Sequence, residues 1–139
     1  MSTPNEVAAD MTALATATRA RVAKVVVAHG ALLQAAVKRR ANQPRTAVRP
    51  GQPGEGPRRL TGAYQRSIQR RTIHRATRSS SHVGTNAVQA RRLEFGFTGT
   101  DSLGRTYDQQ AYPHFGPALD EAEAPFIDAV HAAGLPEDR

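Results

Sequence analysis

The apolar and small residues Val7, Met11, Leu14, Thr18, Val22, Val25, His29, Leu32 and Ala36 recur at steps of four and three. That spacing puts them on one face of a helix running from Glu6 to about Ala41. Thr3 or Asn5 can cap its start, Pro4 suits a first turn, and Glu6 lies near the positive end of the helix dipole. Lys38, Arg39 and Arg40 suit the negative end. Gly30 and the Val25 to Val27 run lower the helix propensity by amounts that packing can outweigh. Such a helix is about 45 to 50 Å long, longer than a domain of this size, and invites contact with a neighbour.

The periodicity stops at Asn42. From there to Arg59 the chain holds four Pro and three Gly, which predicts an extended, mobile loop, longer than ordinary connections. Leu60 to Ser67 suits a short helical turn capped by Thr61. Ile68 to Thr77 and His82 to Thr85 read as strands, separated by the turn-prone Arg78 to Ser81. Asn86 is placed to cap a helix over Ala87 to Phe95 that Gly96 ends, with Leu93 and Phe95 as core anchors. Phe97 to Tyr112 reads as a loop or irregular hairpin. Pro117 opens a last helix over Ala118 to Ala133, stopped by Gly134 and Pro136, in which Pro125 predicts a kink or restart. The expected fold is α+β: a long N-terminal helix, a small antiparallel sheet, and two shorter helices including a C-terminal one. Residues 1–139 are read as a single domain, with the long helix over 1–41, the loop over 42–59, the α+β core over 60–134 and a tail over 135–139.

Composition sharpens this picture. Only 39% of the 139 residues are hydrophobic and 5% aromatic, with no Trp, which is thin for a free-standing globule and leaves part of the stability to neighbouring subunits. No window approaches 18 uninterrupted apolar residues, and the opening MSTPNEVAAD has neither the basic start nor the apolar stretch of a secretory signal. The expectation is a protein made in a cytoplasm with no membrane partner. The net charge of +7 is unevenly spread: residues 1–37 carry +1, residues 38–92 carry +13, and residues 93–139 carry −7. A chain so divided can bind a polyanion through its middle, or pair its basic part with the acidic end of the next copy.

Few arrangements suit catalysis. Zero Cys excludes a disulfide framework, a thiolate metal site and a Cys nucleophile. His29, His74, His82, His114 and His131 are scattered singly, with no pair at the helical metal-site step, so no metal is expected. His29 suits an interior or interface position, and His114 and His131 a surface one. No serine lies in a nucleophile elbow, and the glycines match neither the phosphate loop nor the dinucleotide fingerprint, so no catalytic residue and no cofactor is expected. Asp120, Glu121 and Glu123 form an acidic cluster that the helix dipole explains and that can serve as an interface. Arg58, Arg59, Arg66, Arg70, Arg71, Arg75 and Arg78 can each neutralise a phosphate, giving sequence-blind, salt-dependent contact with nucleic acid, or can meet an acidic subunit. No base-reading motif accompanies them.

Four segments occur in a distinctive order: RLTGAYQRS (59–67), HVGTN (82–86), ARRLEFG (90–96) and YPHFGPAL (112–119). Together they resemble the neck and tail-component family of long-tailed bacteriophages, over about residues 59–130. Members of that family show a TG-x-x-x-x-S segment, a VGTN turn, an A-x-x-x-E-[FY]-G helix end and a P-x-x-x-P-A-[LF] helix start. Thr61, Gly62, Ser67, Gly84, Asn86, Glu94, Phe95, Gly96, Pro113 and Pro117 carry the likeness here, and the roles it implies for them are structural. Gly62 and Gly84 would allow close backbone approach or positive φ, and Pro113 with Pro117 would fix the start of the last helix. The resemblance implies a non-enzymatic virion protein of the head-to-tail junction, a homo-oligomeric and hexameric ring. Its implied neighbours are the connector or stopper and the tail terminator or tail tube, with genomic DNA in the lumen as a possible contact. Val88-Gln89 in place of the family's aromatic, and the length of the 97–110 loop, depart from the pattern.

Overall fold

A computed structural model describes residues 1–42 and 62–135. The predicted loop at 42–59 beyond Asn42, with Arg58 and Arg59, and likewise Thr61 and the tail after Leu135, lie outside the described residues. Helix α1 spans Pro4–Arg40, 37 residues and about 55 Å long. A capping box closes its start: Glu6 N–H donates to Thr3 Oγ1 at 3.3 Å, and Thr3 N–H donates to Glu6 Oε2 at 2.6 Å. Thr3 is therefore the cap, with Pro4 in the first turn and Lys38, Arg39 and Arg40 in the last.

Helix α2 is one turn, Ala63–Ser67, followed by strands β1 (Gln69–His74) and β2 (Ser79–Gly84). These pair antiparallel in the register Gln69 with Gly84 through His74 with Ser79. Helix α3 (Ala90–Phe95) leads into a second antiparallel hairpin, β3 (Phe97–Thr100) with β4 (Thr106–Gln109). Its loop is organised by Asp101, whose carboxylate accepts the backbone N–H groups of Leu103 at 3.0 Å and Arg105 at 2.9 Å, the Arg105 guanidinium and the Tyr107 hydroxyl. Helix α4 spans Phe115–Gly134 and runs unbroken through Pro125. The α+β architecture expected from sequence is present, with two two-stranded sheets among the described residues in place of the single expected sheet.

The α4 helix runs antiparallel along α1. Arg21 donates to the Ala133 carbonyl at 2.9 Å and to the Leu135 carbonyl at 3.4 Å, satisfying acceptors that the end of α4 leaves open. Midway, the His29 and Phe126 rings lie 5.7 Å apart, and at the other end Arg40 pairs with Glu121. The β1–β2 hairpin packs on the adjoining face of α1. Gly30 is the closest point: a Cβ there would overlap the Ser81 hydroxyl and come within 2.7 Å of Ser81 Cβ. Val37, Ala36 and Ala41 of the α1 end, with Ile68 and Ala118, form the buried core, against which Leu33, Tyr64, Val83 and Phe115 pack.

Several sequence expectations need correction. The most deeply buried α1 positions are Val26, Gly30, Ala36 and Val37, so the covered face is rotated toward Val26, Gly30, Leu33 and Val37. Leu32 is 60% exposed, because Gly30 lets the hairpin approach from a side that apolar spacing alone does not mark. The first turn lies at Arg75 to Arg78, whose backbones bond to each other at 2.7 and 3.4 Å, and the serines 79–81 belong to β2. Asn86 does not cap α3, which begins at Ala90 after Gln89; instead Thr85 Oγ1 accepts the Ala87 N–H at 3.1 Å. Phe95 is 77% exposed and lies outside the buried core formed by the described residues. Pro125 makes no break, since its position on the exposed side of α4 costs one backbone bond and no burial.

Candidate functional site

The four motif segments converge at one place. Ser67 of the first shares a hydrogen bond of 2.7 Å with Thr85 of the second, and also donates to the Tyr64 carbonyl at 2.6 Å. Glu94 of the third reaches the start of α4 in the fourth. Its Oε2 accepts the backbone N–H groups of His114 at 2.9 Å and Phe115 at 3.0 Å, and its Oε1 accepts that of Gly116 at 2.8 Å. A helix start leaves its first N–H groups without intrahelical partners, so a carboxylate supplied from another element acts there as a cap. The Tyr112 N–H donates to the Leu93 carbonyl at 2.6 Å and ties the same two segments together by backbone.

His114 is fully buried inside this clasp, against the surface position expected for it. Its Nδ1 lies 3.0 Å from the Tyr112 carbonyl and 3.1 Å from Glu94 Oε2, both acceptors, so Nδ1 carries the proton. Nε2 then accepts from the Tyr64 hydroxyl at 2.6 Å. Burial lowers the His114 pKa below its ordinary value, with the Tyr112 carbonyl and the Glu94 charge opposing that shift. Burial by itself would raise Glu94, but the three backbone N–H groups, with His114, outweigh it and hold the carboxylate below its ordinary range. Burial, reinforced by the Glu94 charge, pushes the Tyr64 phenol up to about 12. A Glu-His-Tyr chain of this kind could carry chemistry only if Tyr64 were activated. Its proton is instead held more tightly and directed into the interior. The cluster joins α2, α3 and the start of α4 through buried hydrogen bonds.

Gly62 (φ 75°) begins α2 in the left-handed region, and Gly96 (φ 75°) ends α3 there, where an added Cβ would also come within 2.7 Å of the Gln109 carbonyl. Gly84 has neither a positive φ nor a close neighbour. Pro117 lies in the first turn of α4, and Pro113 directly precedes His114. Tyr64 and His114 were the residues missed from sequence as site members. The only signal for them was their position inside motif segments.

The charged candidates separate. Arg70 turns inward, donating to the Val27 carbonyl at 3.2 Å and lying 3.4 Å from Thr72 Oγ1. Arg66, Arg71, Arg75 and Arg78 are exposed, the last three along the β1–β2 hairpin and at its turn. On α4, Glu121 is engaged by Arg40, whereas Asp120 and Glu123 stand on the rim of a groove of about 460 Å³. Val26, Gly30 and Leu33 of α1 form the groove's floor, Leu119, Ala122 and Phe126 its α4 wall, and Ser79 to Ser81 its β2 wall, with Arg78 at the edge. Beyond the end of α4, every residue from Met1 to Ala17 is exposed, including Val7, Met11 and Leu14. By length and composition α1 also qualifies as a membrane-crossing helix, although a spanning α1 would give up its packing against α4 and the hairpin. Among the described residues no group of His, Asp and Glu is arranged to hold a metal ion.

Comparison with known proteins gives a family. Residues 5–96 match the family described as "Bacteriophage HK97-gp10, putative tail-component". No curated protein and no solved structure matches the chain.

Proposed function

The chain belongs to the HK97-gp10-like family of bacteriophage tail components, and from that premise we propose that it is a structural, non-enzymatic subunit of a hexameric ring at the head-to-tail interface. In this reading the ring completes the neck, joining the connector or stopper on one side to the tail terminator or tail tube on the other. The observation that carries it is how the motif residues are used. Ser67, Glu94 and the 112–119 segment hold the fold together, and no activated group is left at their meeting point. What remains for function is shape and surface: a projecting helix, a basic hairpin and an acidic rim. Such features suit subunits that complete one another.

Averaged images of the neck of purified virions test the proposal. A ring of this chain at the joint between head and tail is the expected result. Its absence from virions by mass spectrometry would overturn it.

The exposure of Arg71, Arg75 and Arg78 favours a second use, sequence-independent contact with DNA in the ring lumen or by the free chain. Duplex binding by the isolated protein that falls steeply with added salt is expected from that reading. Undetectable binding at moderate salt removes it.

A further inference from the structure

The free end of α1 and the groove between α4 and β2 are complementary, and we infer that the first seats in the second on an adjacent copy, making the repeating contact of the ring. The inference rests on the ring reading above and supplies its interface.

The projecting segment, Pro4 to Ala17, is about 20 Å long, and its start lies about 25 Å past the level at which Arg21 meets the end of α4. Its stripe of Val7, Met11 and Leu14 is 45%, 67% and 53% exposed, an apolar surface that no other described residue of its own chain covers. The stripe is spaced i, i+4, i+7, as is the groove floor of Val26, Gly30 and Leu33, and both span about 10 Å.

The flanks match as well. On one side of the stripe stand Glu6 and Asp10, which suit the groove edge that carries Arg78. The other side presents Ala8, Thr12 and Ala15. Thr12 Oγ1 donates back to the Ala8 carbonyl at 2.9 Å, and Thr16 Oγ1 to the Thr12 carbonyl at 2.9 Å, so this flank offers small surfaces without charge. It can lie against the α4 rim without opposing Asp120 or Glu123.

A copy cannot fill its own groove, because the projecting segment and the groove floor are parts of one continuous helix. In the proposed ring the occupant comes from a neighbouring copy, whose own groove takes the segment of a third in place of a reciprocal exchange between two. Contacts of that heterologous kind repeat until they close.

The chain has no cysteine, which makes crosslinking clean. Met11→Cys and Glu123→Cys proteins, both altered at exposed positions, would be mixed, treated with a short bismaleimide, and sized in parallel with native protein. A closed oligomer and a mixed 11-to-123 crosslink are expected. Asp10→Arg should weaken assembly by about tenfold or more, and Arg78→Asp in the same chain should recover much of it. Crosslinking of Met11→Cys only to itself would show that the projecting ends pair with each other, and would overturn the inference. A closed oligomer with no 11-to-123 crosslink would overturn it while leaving the ring intact. A chain that stays monomeric at every concentration would overturn both.

Discussion

Glu94 accepts the Gly116 backbone N–H at 2.8 Å and so caps a helix that begins twenty-one residues after it in the chain. The same carboxylate takes two further backbone N–H groups, so three donors at the start of α4 depend on one side chain. Glu94→Ala would leave them unsatisfied and beside an unopposed helix dipole, at an expected cost of about 2 to 3 kcal/mol. Urea unfolding of the variant and the native chain measures it. A loss below about 0.5 kcal/mol would show that water replaces the carboxylate at no cost.

The pH dependence follows from the same cluster. His114 has its folded pKa below the ordinary value, so the unfolded chain takes up its proton first as pH falls, and stability is lost from about pH 6.5 downward. Glu94 has a lowered pKa too, so its contribution is complete above the ordinary carboxylate range and is lost as pH falls through the folded value. Both shifts act in the same direction. The urea midpoint should hold steady between about pH 7 and 9 and fall between pH 6.5 and 4, with His114→Asn removing the upper part of that fall. A midpoint independent of pH across this window would contradict the buried, neutral imidazole.

Gly30 and Ser81 set the distance between α1 and the hairpin. Gly30→Ala would force the added methyl into the Ser81 side chain, which cannot retreat without moving β2. The expected cost is about 1 to 3 kcal/mol, against the small gain in helix propensity that Ala would bring at an open site. Ser81→Gly in the same chain should return part of the loss, and a double-mutant cycle reads the coupling. Additive effects would separate the two residues.

Arg21 holds the end of α4 by two carbonyl contacts. Arg21→Ala should free the last turn with little effect on the core, seen as faster amide exchange confined to about residues 130–135. Uniform exchange changes throughout α4 would mean that the helix is held otherwise.

Local rules made some of this fold legible and left other parts hidden. The start of α1 is readable because a capping box is a contact between residues three apart, and Ser67 and Glu94, both inside motif segments, lie at hydrogen-bonded junctions of the fold. Hydrophobic spacing places the buried face of α1 off-centre, since it weighs Leu32 above Gly30, whereas close packing selects the glycine. The three serines favour a turn by local preference. In the fold Ser81 lies 3.1 Å from Thr72 across the hairpin and under Gly30, and those contacts override the preference. Nothing local marks His114 as buried: its partners Tyr64 and Glu94 lie fifty and twenty residues away in sequence, and only the assembled fold joins them.

The proposed place in the virion is tested most directly by electron microscopy of lysates from phage lacking this chain. A ring that joins the head to the tail predicts DNA-filled heads and finished tails lying separately, restored to whole particles when the chain is supplied. Whole, joined particles in its absence would contradict the proposal.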